Sequence, residues 1–223
     1  MRVQNFSGDV AAAKQAAQHI TAILEGKNTI FVSGGSSFAV FEQLDTLLST
    51  KEKSLTNLLL VDERYGQVNH ADSNWELLGS IDLDDYASAI PVLEGNKSLE
   101  QAAVDYDSTV KSAFDSSNTI AILGIGSDRH IAGIKPMDLV EYNEIFSGRL
   151  VAGYSGVDFE RITLTAESLF KINNIVVFVS GEEKQSAVTH IDDDTPINEA
   201  PANILSKLEN VSVYNVINKG AEK

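Results

Sequence analysis

The chain has 223 residues, 43% of them apolar and 22% charged, enough for a soluble domain with its own core and no need of staples. The net charge is -15 and the pI is near 4.5. Nucleic acids and anionic membranes are bound through clustered cations, so neither is expected as a partner. There is no cysteine, hence no disulfide framework and no thiolate metal site.

No apolar run approaches the roughly 20 residues of a membrane span. Residues 1–10 lack the basic and apolar regions of a signal peptide, so a cytoplasmic protein is expected. In chain order, Val10, Ala13, Ala17, Ile20, Ile23 and Leu24 recur at helical spacing over 8–25, and Gly26 supplies a stop. Residues 29–32 read as a short buried strand that runs into Ser33-Gly34-Gly35-Ser36-Ser37. A helix over 37–48 puts Phe38, Phe41, Leu44 and Leu48 on one side. Residues 57–61 are the next buried strand, ending in Asp62-Glu63-Arg64. A polar loop then leads to a short helix capped by Ser73 and carrying Trp75, Leu77 and Leu78. Residues 90–93 read as a minor strand. The helix over 98–114 opens on a capping box, Ser98 with Gln101.

The apolar run over 120–123 is a fully buried strand that breaks at Gly124 and Gly126, followed at once by Asp128, Arg129 and His130. Residues 137–159 read as irregular, with a short strand at 150–152, and 161–165 leads into a short helix. Residues 174–180 form the clearest buried strand, and Gly181-Glu182-Glu183-Lys184 opens another helix after it. A helix over 198–207 and a strand over 211–216 complete the chain. Short strands alternating with helices predict an α/β fold, a single domain over 1–223 with a mainly parallel sheet flanked by helices.

Ligands in such sheets bind outside the carboxyl ends of the strands. Four of those ends carry chemistry. At Gly34-Gly35-Ser36-Ser37, backbone N–H groups and hydroxyls at a helix start converge as they do on a phosphate, although glycine is also common there for steric reasons. Asp62-Glu63-Arg64 is either a solvated strand end or an anion site with an oriented guanidinium. Lys184 adds a point charge where a helix start already favours anions. Histidine is the side chain whose chemistry suits a general base at neutral pH, and His130 has Asp128 two residues away to orient it, although a loop histidine with satisfied hydrogen bonds also fits.

The usual nucleotide motifs are absent. There is no P-loop, and Arg129 stands where a dinucleotide fingerprint needs its third glycine. The scattered His19, His70 and His190 show no metal-ligand spacing, and no Gly-x-Ser-x-Gly elbow supports a serine hydrolase. No metal and no cofactor are expected.

Taken together, Ser33-Gly34-Gly35-Ser36, Val61-Asp62-Glu63-Arg64, Asp72-Ser73-Asn74, Leu123-Gly124-Ile125-Gly126-Ser127-Asp128-Arg129-His130, Arg161-Ile162-Thr163-Leu164-Thr165 and Gly181-Glu182-Glu183-Lys184 resemble the 6-phosphogluconolactonase family and its relative, glucosamine-6-phosphate deaminase. The resemblance implies a Rossmann-like sheet and hydrolysis of a phosphorylated sugar lactone to 6-phosphogluconate in the pentose phosphate pathway. It implies His130 as the base with Asp128 beside it. Gly34, Gly35, Ser36, Ser37, Asp62, Arg64, Lys184 and Arg161 would hold the substrate and its phosphate. The implied partner is a small sugar phosphate, and the implied state is a monomer or weak homodimer.

Two positions depart from the family pattern. Arg129 replaces a glycine. Lys135 stands before Pro136 where the deaminase pattern has a glutamate and the lactonase pattern an apolar residue. Both departures are expected to put cations beside the base. The alternatives are a non-catalytic or divergent sugar-phosphate binder and a sugar-phosphate isomerase or deaminase.

Overall fold

A computed structural model describes residues 1–217; residues 218–223, the end of the expected domain, lie outside the described residues. The chain opens with β1 (Arg2–Phe6), α1 (Asp9–Ile23), β2 (Asn28–Val32), α2 (Phe38–Leu47) and α3 (Thr50–Lys53). It continues through β3 (Thr56–Leu60), β4 (Asp62–Arg64), β5 (Ser88–Ala89), α4 (Leu99–Ser116) and β6 (Asn118–Leu123). The last third holds α5 (Leu139–Phe146), β7 (Val151–Ser155), β8 (Glu160–Leu164), α6 (Ala166–Lys171), β9 (Asn174–Val179), α7 (Gln185–Thr189) and β10 (Val211–Val216).

Seven parallel strands form the main sheet in the order β1-β10-β9-β6-β2-β3-β5. The central strands are almost uniformly apolar and buried, as a sheet covered on both faces requires. Helix α1 packs against α2, β9 and β10, while α4 packs against β6 and the second sheet. Fully buried side chains such as Phe31, Phe41, Leu58, Ile120 and Phe178 form the core, each worth roughly 1.5–3 kcal/mol of burial. The capping box of α4 is present: Gln101 N donates to Ser98 Oγ (3.3 Å) and Ser98 N to Gln101 Oε1 (3.0 Å). Among the described residues, no helix is long and apolar enough to cross a membrane.

The chain winds outward in opposite directions from β2 and from β6, so the sheet reverses between these two neighbours. Their carboxyl ends open a crevice at that switch point. The Ser33–Ser37 turn follows β2, and the Gly124–His130 loop follows β6.

Several elements differ from the sequence expectation. A second, antiparallel sheet, β4-β8-β7, is the largest of these differences. Asp62-Glu63-Arg64 is thus a strand of its own, and residues 160–164 are a strand rather than a lead into a helix. Residues 137–159 hold a helix, α5, whose start Asp138 caps by accepting from Val140 N (2.9 Å) and Glu141 N (3.0 Å). The minor strand lies at Ser88–Ala89, before the expected 90–93, and the 198–207 helix is a 3-10 turn over Pro201–Lys207. Strand β1 has no apolar run to betray it, because it is a half-exposed edge strand.

Candidate active site

The carboxyl ends of β2, β3, β6 and β9 meet around a cleft of about 260 Å³. Ser33, Gly34, Gly35, Ser36, Ser37, Asp62, Arg64, Asn74, His130 and Lys184 all line it. Four strand ends far apart in sequence are therefore brought to one place.

His130 sits on the wall supplied by the loop after β6. Its Nδ1 lies 2.5 Å from Asp128 Oδ1, and Lys135 Nζ donates to the other carboxylate oxygen at 3.2 Å. Burial pushes Asp128 up, but the hydrogen bond and charge of His130 and the charge of Lys135 outweigh it. The carboxyl is held well below the usual range. An ionised Asp128 fixes the proton on Nδ1 and leaves Nε2 as the acceptor nitrogen, with no protein partner among the described residues. The loop must be glycine at 126, because a Cβ there would collide with the His130 ring and with Asp128. Lys135 Nζ also stands 3.1 Å from His130 Nδ1, so that cation is indeed beside the imidazole.

Arg129 is not beside it. Its backbone takes φ +66° and its guanidinium turns away from the cleft to Asp193 Oδ1 (2.8 Å), Asn203 Oδ1 (2.5 Å) and the carbonyl of His190. The expected cation at the base is thus a clamp on the 190–203 segment instead.

On the anion side, Lys184 Nζ donates to Ser36 Oγ (3.2 Å), joining the turn after β9 to the turn after β2. Arg64 Nη1 donates to the Asp72 carbonyl (2.8 Å), and its guanidinium stands 5.3 Å from the Phe159 ring centroid. The strand register sets Arg64 opposite Arg161, two like charges face to face. Asp158 resolves the conflict by taking Arg161 bidentately, at 2.6 and 2.7 Å. Arg161 is thereby buried at 4% exposure and is not among the cleft-lining residues, whereas Arg64 is. Sequence reasoning put Arg161 with the anion-binding set; the structure keeps it behind Arg64.

Asp62 faces the cleft with Asn74 Nδ2 on its carbonyl (2.9 Å). Burial raises its carboxyl, against the opposing pull of Arg64, His130 and Arg161. Asn74 fills the space beside Gly34 so closely that a Cβ at Gly34 would strike its amide. Ser33 Oγ lines the cleft, is buried and has no protein partner among the described residues, leaving a hydroxyl for a polar ligand group to satisfy. Ser33 is expected only as part of the Ser33–Ser37 turn, and Asn74 is not among the residues expected to hold the substrate. Asp72-Ser73-Asn74 was the available signal for Asn74, since its polar run follows a strand end that carries charge.

The model of the glucosamine-6-phosphate isomerases/6-phosphogluconolactonase family matches residues 8–213. The chain belongs to this family. The Arabidopsis thaliana protein named "Probable 6-phosphogluconolactonase 1" is 28% identical over 174 residues, 70% of this chain and 64% of that protein. The 6-phosphogluconolactonase of Borreliella burgdorferi is 27% identical over 173 residues, 74% of this chain and 73% of its own. A crystal structure of a 6-phosphogluconolactonase from Shewanella baltica superposes with a TM-score of 0.80 at 19% identity, covering 97% of both chains, which is agreement in fold. Most of the chain, the cleft included, thus falls within the family match.

Proposed function

We propose that the chain hydrolyses 6-phosphogluconolactone to 6-phosphogluconate, with His130 as general base. The observation that carries this reading is the Asp128–His130 pair opening onto the same cleft as Arg64 and Lys184. A δ-lactone is electrophilic enough to need no covalent nucleophile. It needs a water stripped of its proton and a place for the negative charge that develops on the carbonyl oxygen.

The lactone phosphate sits against Arg64, Lys184 and the Ser36–Ser37 turn. Two cations and a hydroxyl meet its charge there, at the start of a helical turn. Nε2 of His130 accepts the proton of a water attacking the lactone carbonyl, and Asp128 stabilises the imidazolium that forms. When the tetrahedral intermediate collapses, the ring C–O bond breaks and the leaving alkoxide takes that proton back. The carboxylic acid product then ionises in water.

The family name spans isomerases as well as lactonases, and Lys135 weighs against the former. It places an ammonium, not a carboxylate, where ring-opening acid–base chemistry would need one. The turning away of Arg129 removes half of the motive for a non-catalytic binder, since the base is flanked by one extra cation and not two.

Lactone hydrolysis by wild type and by His130→Ala tests the reading. General-base help of about 10²–10⁴-fold should disappear from kcat, with binding of 6-phosphogluconate retained. Equal rates in the two proteins would remove the lactonase assignment. Binding of the product without turnover by wild type would favour the binder.

A further inference from the structure

Glu63 is the centre residue of β4 and is fully buried, with 0% exposure. Among the described residues no cation pairs with it. Instead it accepts four hydrogen bonds. Oε1 receives the N–H groups of Arg64 (2.7 Å) and Asn74 (2.7 Å), and Oε2 receives the Ser73 hydroxyl (2.8 Å) and the N–H of Trp75 (3.0 Å). Three of the four groups are peptide donors that cannot reverse direction. The carboxylate ion accepts from all four, whereas a protonated carboxyl turns one oxygen into a donor and a weaker acceptor among them.

The donors belong to groups that build the cleft. Asn74 bonds Asp62 and packs on Gly34, and Arg64 is braced by the carbonyl of Asp72 in the same loop. We infer that Glu63 is a positioning residue: its ionised carboxylate latches residues 73–75 onto β4, so aiming Arg64 and Asn74 into the cleft, and lets them go when it takes up a proton. The inference rests on the reading that this cleft binds a sugar phosphate.

Several charged and titratable groups surround Glu63. Asp62 and Arg64 flank Glu63 on β4. Arg161 stands opposite Arg64 on β8, Asp72 and His70 lie on the loop, and Tyr106 of α4 is tied to Leu60. Burial pushes the Glu63 carboxyl up, and the four donors offset this only in part. A carboxyl raised by folding does not destabilise the fold when it is protonated. The acid-labile carboxylates Asp128, Asp158 and Asp193 are all held low, so they lose their contribution only at lower pH. The latch therefore opens while the fold persists.

Trp75 is the single tryptophan of the chain and is bonded to the latch itself, so its emission reports the latch directly. In wild type, Trp75 emission and affinity for 6-phosphogluconate should change together as pH is lowered from about 7, before the far-UV spectrum changes. Glu63→Gln presents an amide N–H to the fixed donors. At pH 7 it should already show the released emission and bind 6-phosphogluconate roughly ten- to a hundredfold more weakly, its loss falling on KM more than on kcat. Ser73→Ala removes one donor to the anion and should move the midpoint to higher pH.

Trp75 emission that stays flat with pH in folded wild type, or a Glu63→Gln protein with wild-type emission and affinity, overturns the inference. If Glu63→Gln does not fold, the wild-type and Ser73→Ala pH series decide alone. The emission and binding readouts do not require turnover, so an inactive wild type would defeat the lactonase reading and leave the latch standing or falling by its own result.

Discussion

Position 129 sets a backbone cost against a side-chain gain. A non-glycine residue in the left-handed region costs roughly 1–2 kcal/mol. The Arg129 guanidinium offsets this with charge-assisted hydrogen bonds to Asp193, to Asn203 and to the carbonyl of His190. The two ion-pair partners are 20% and 32% exposed, so solvent screens part of their attraction and the several bonds act together. The clamp still outweighs the strain, so Arg129→Gly is expected to be less stable than wild type. Arg129→Ala should be less stable again by about 1–2 kcal/mol, because it loses the clamp and keeps the strain. Urea denaturation of the three proteins checks the order; Arg129→Gly at or above wild type would show that the clamp does not outweigh the strain. The sequence revealed that Arg129 departs from a glycine but not which way it turns. Its partners are 61 to 74 residues further along the chain, and no local pattern connects them. Glu63 was hidden for a related reason: in a charged triplet at a strand end, nothing local marks the middle residue as the one that turns inward.

At the scale of elements, what could be read was what is strongly periodic or uniformly apolar. Strands β2, β3, β6, β9 and β10, the capping box of α4 and the glycine turns at the cleft all have local causes. The small antiparallel sheet has none. Strand β4 is only three residues, and β8 alternates too briefly for its pairing with β4 and β7 to show. Helix α5 was masked because Leu139 and Val140 stay exposed, which breaks the apolar stripe. Yet this sheet props the loop that carries His130. Thr163 Oγ1 on β8 accepts from Gly133 N (2.8 Å), and the Tyr154 hydroxyl on β7 donates to the Gly133 carbonyl (2.6 Å). Burial pushes that phenol up to about 12, so it remains a donor throughout the working range. Thr163→Val preserves shape but leaves the buried N–H of Gly133 unpaired, at a cost of about 1–3 kcal/mol. Urea titration should show that loss; a midpoint equal to that of wild type would mean the loop holds itself without β8.

Across the whole molecule, two electrostatic effects oppose each other as pH falls, and their order predicts the stability profile. The net charge of -15 at pH 7 spreads repulsion over the surface, and it diminishes on acidification toward the pI near 4.5. Against this stand four carboxylates held below their usual range, Glu52 by its hydrogen bonds with Ser49 and three aspartates by ion pairs. Asp158 is held by its hydrogen bonds to Arg161, and Asp193 by those to Arg129. At Asp128, burial pulls the other way but is overcome by His130 and Lys135. A depressed carboxyl contributes stability that is present above its unfolded value of about 4 and is lost as pH falls through that value toward the folded one. The pairs are therefore intact while repulsion is being relieved, and fail only afterwards. The unfolding temperature should rise from pH 8 to a maximum near about pH 5 and fall steeply below about 4. Added salt sorts the two effects, because about 0.1 M shortens the reach of surface charge to about 10 Å. Salt should raise the unfolding temperature at pH 8, where long-range repulsion dominates, and change it little near the maximum. Calorimetry over that grid checks the ordering. A transition that keeps climbing to pH 3 would mean that the ion pairs do not govern this fold, and one at pH 8 that ignores salt would mean that the excess charge does not.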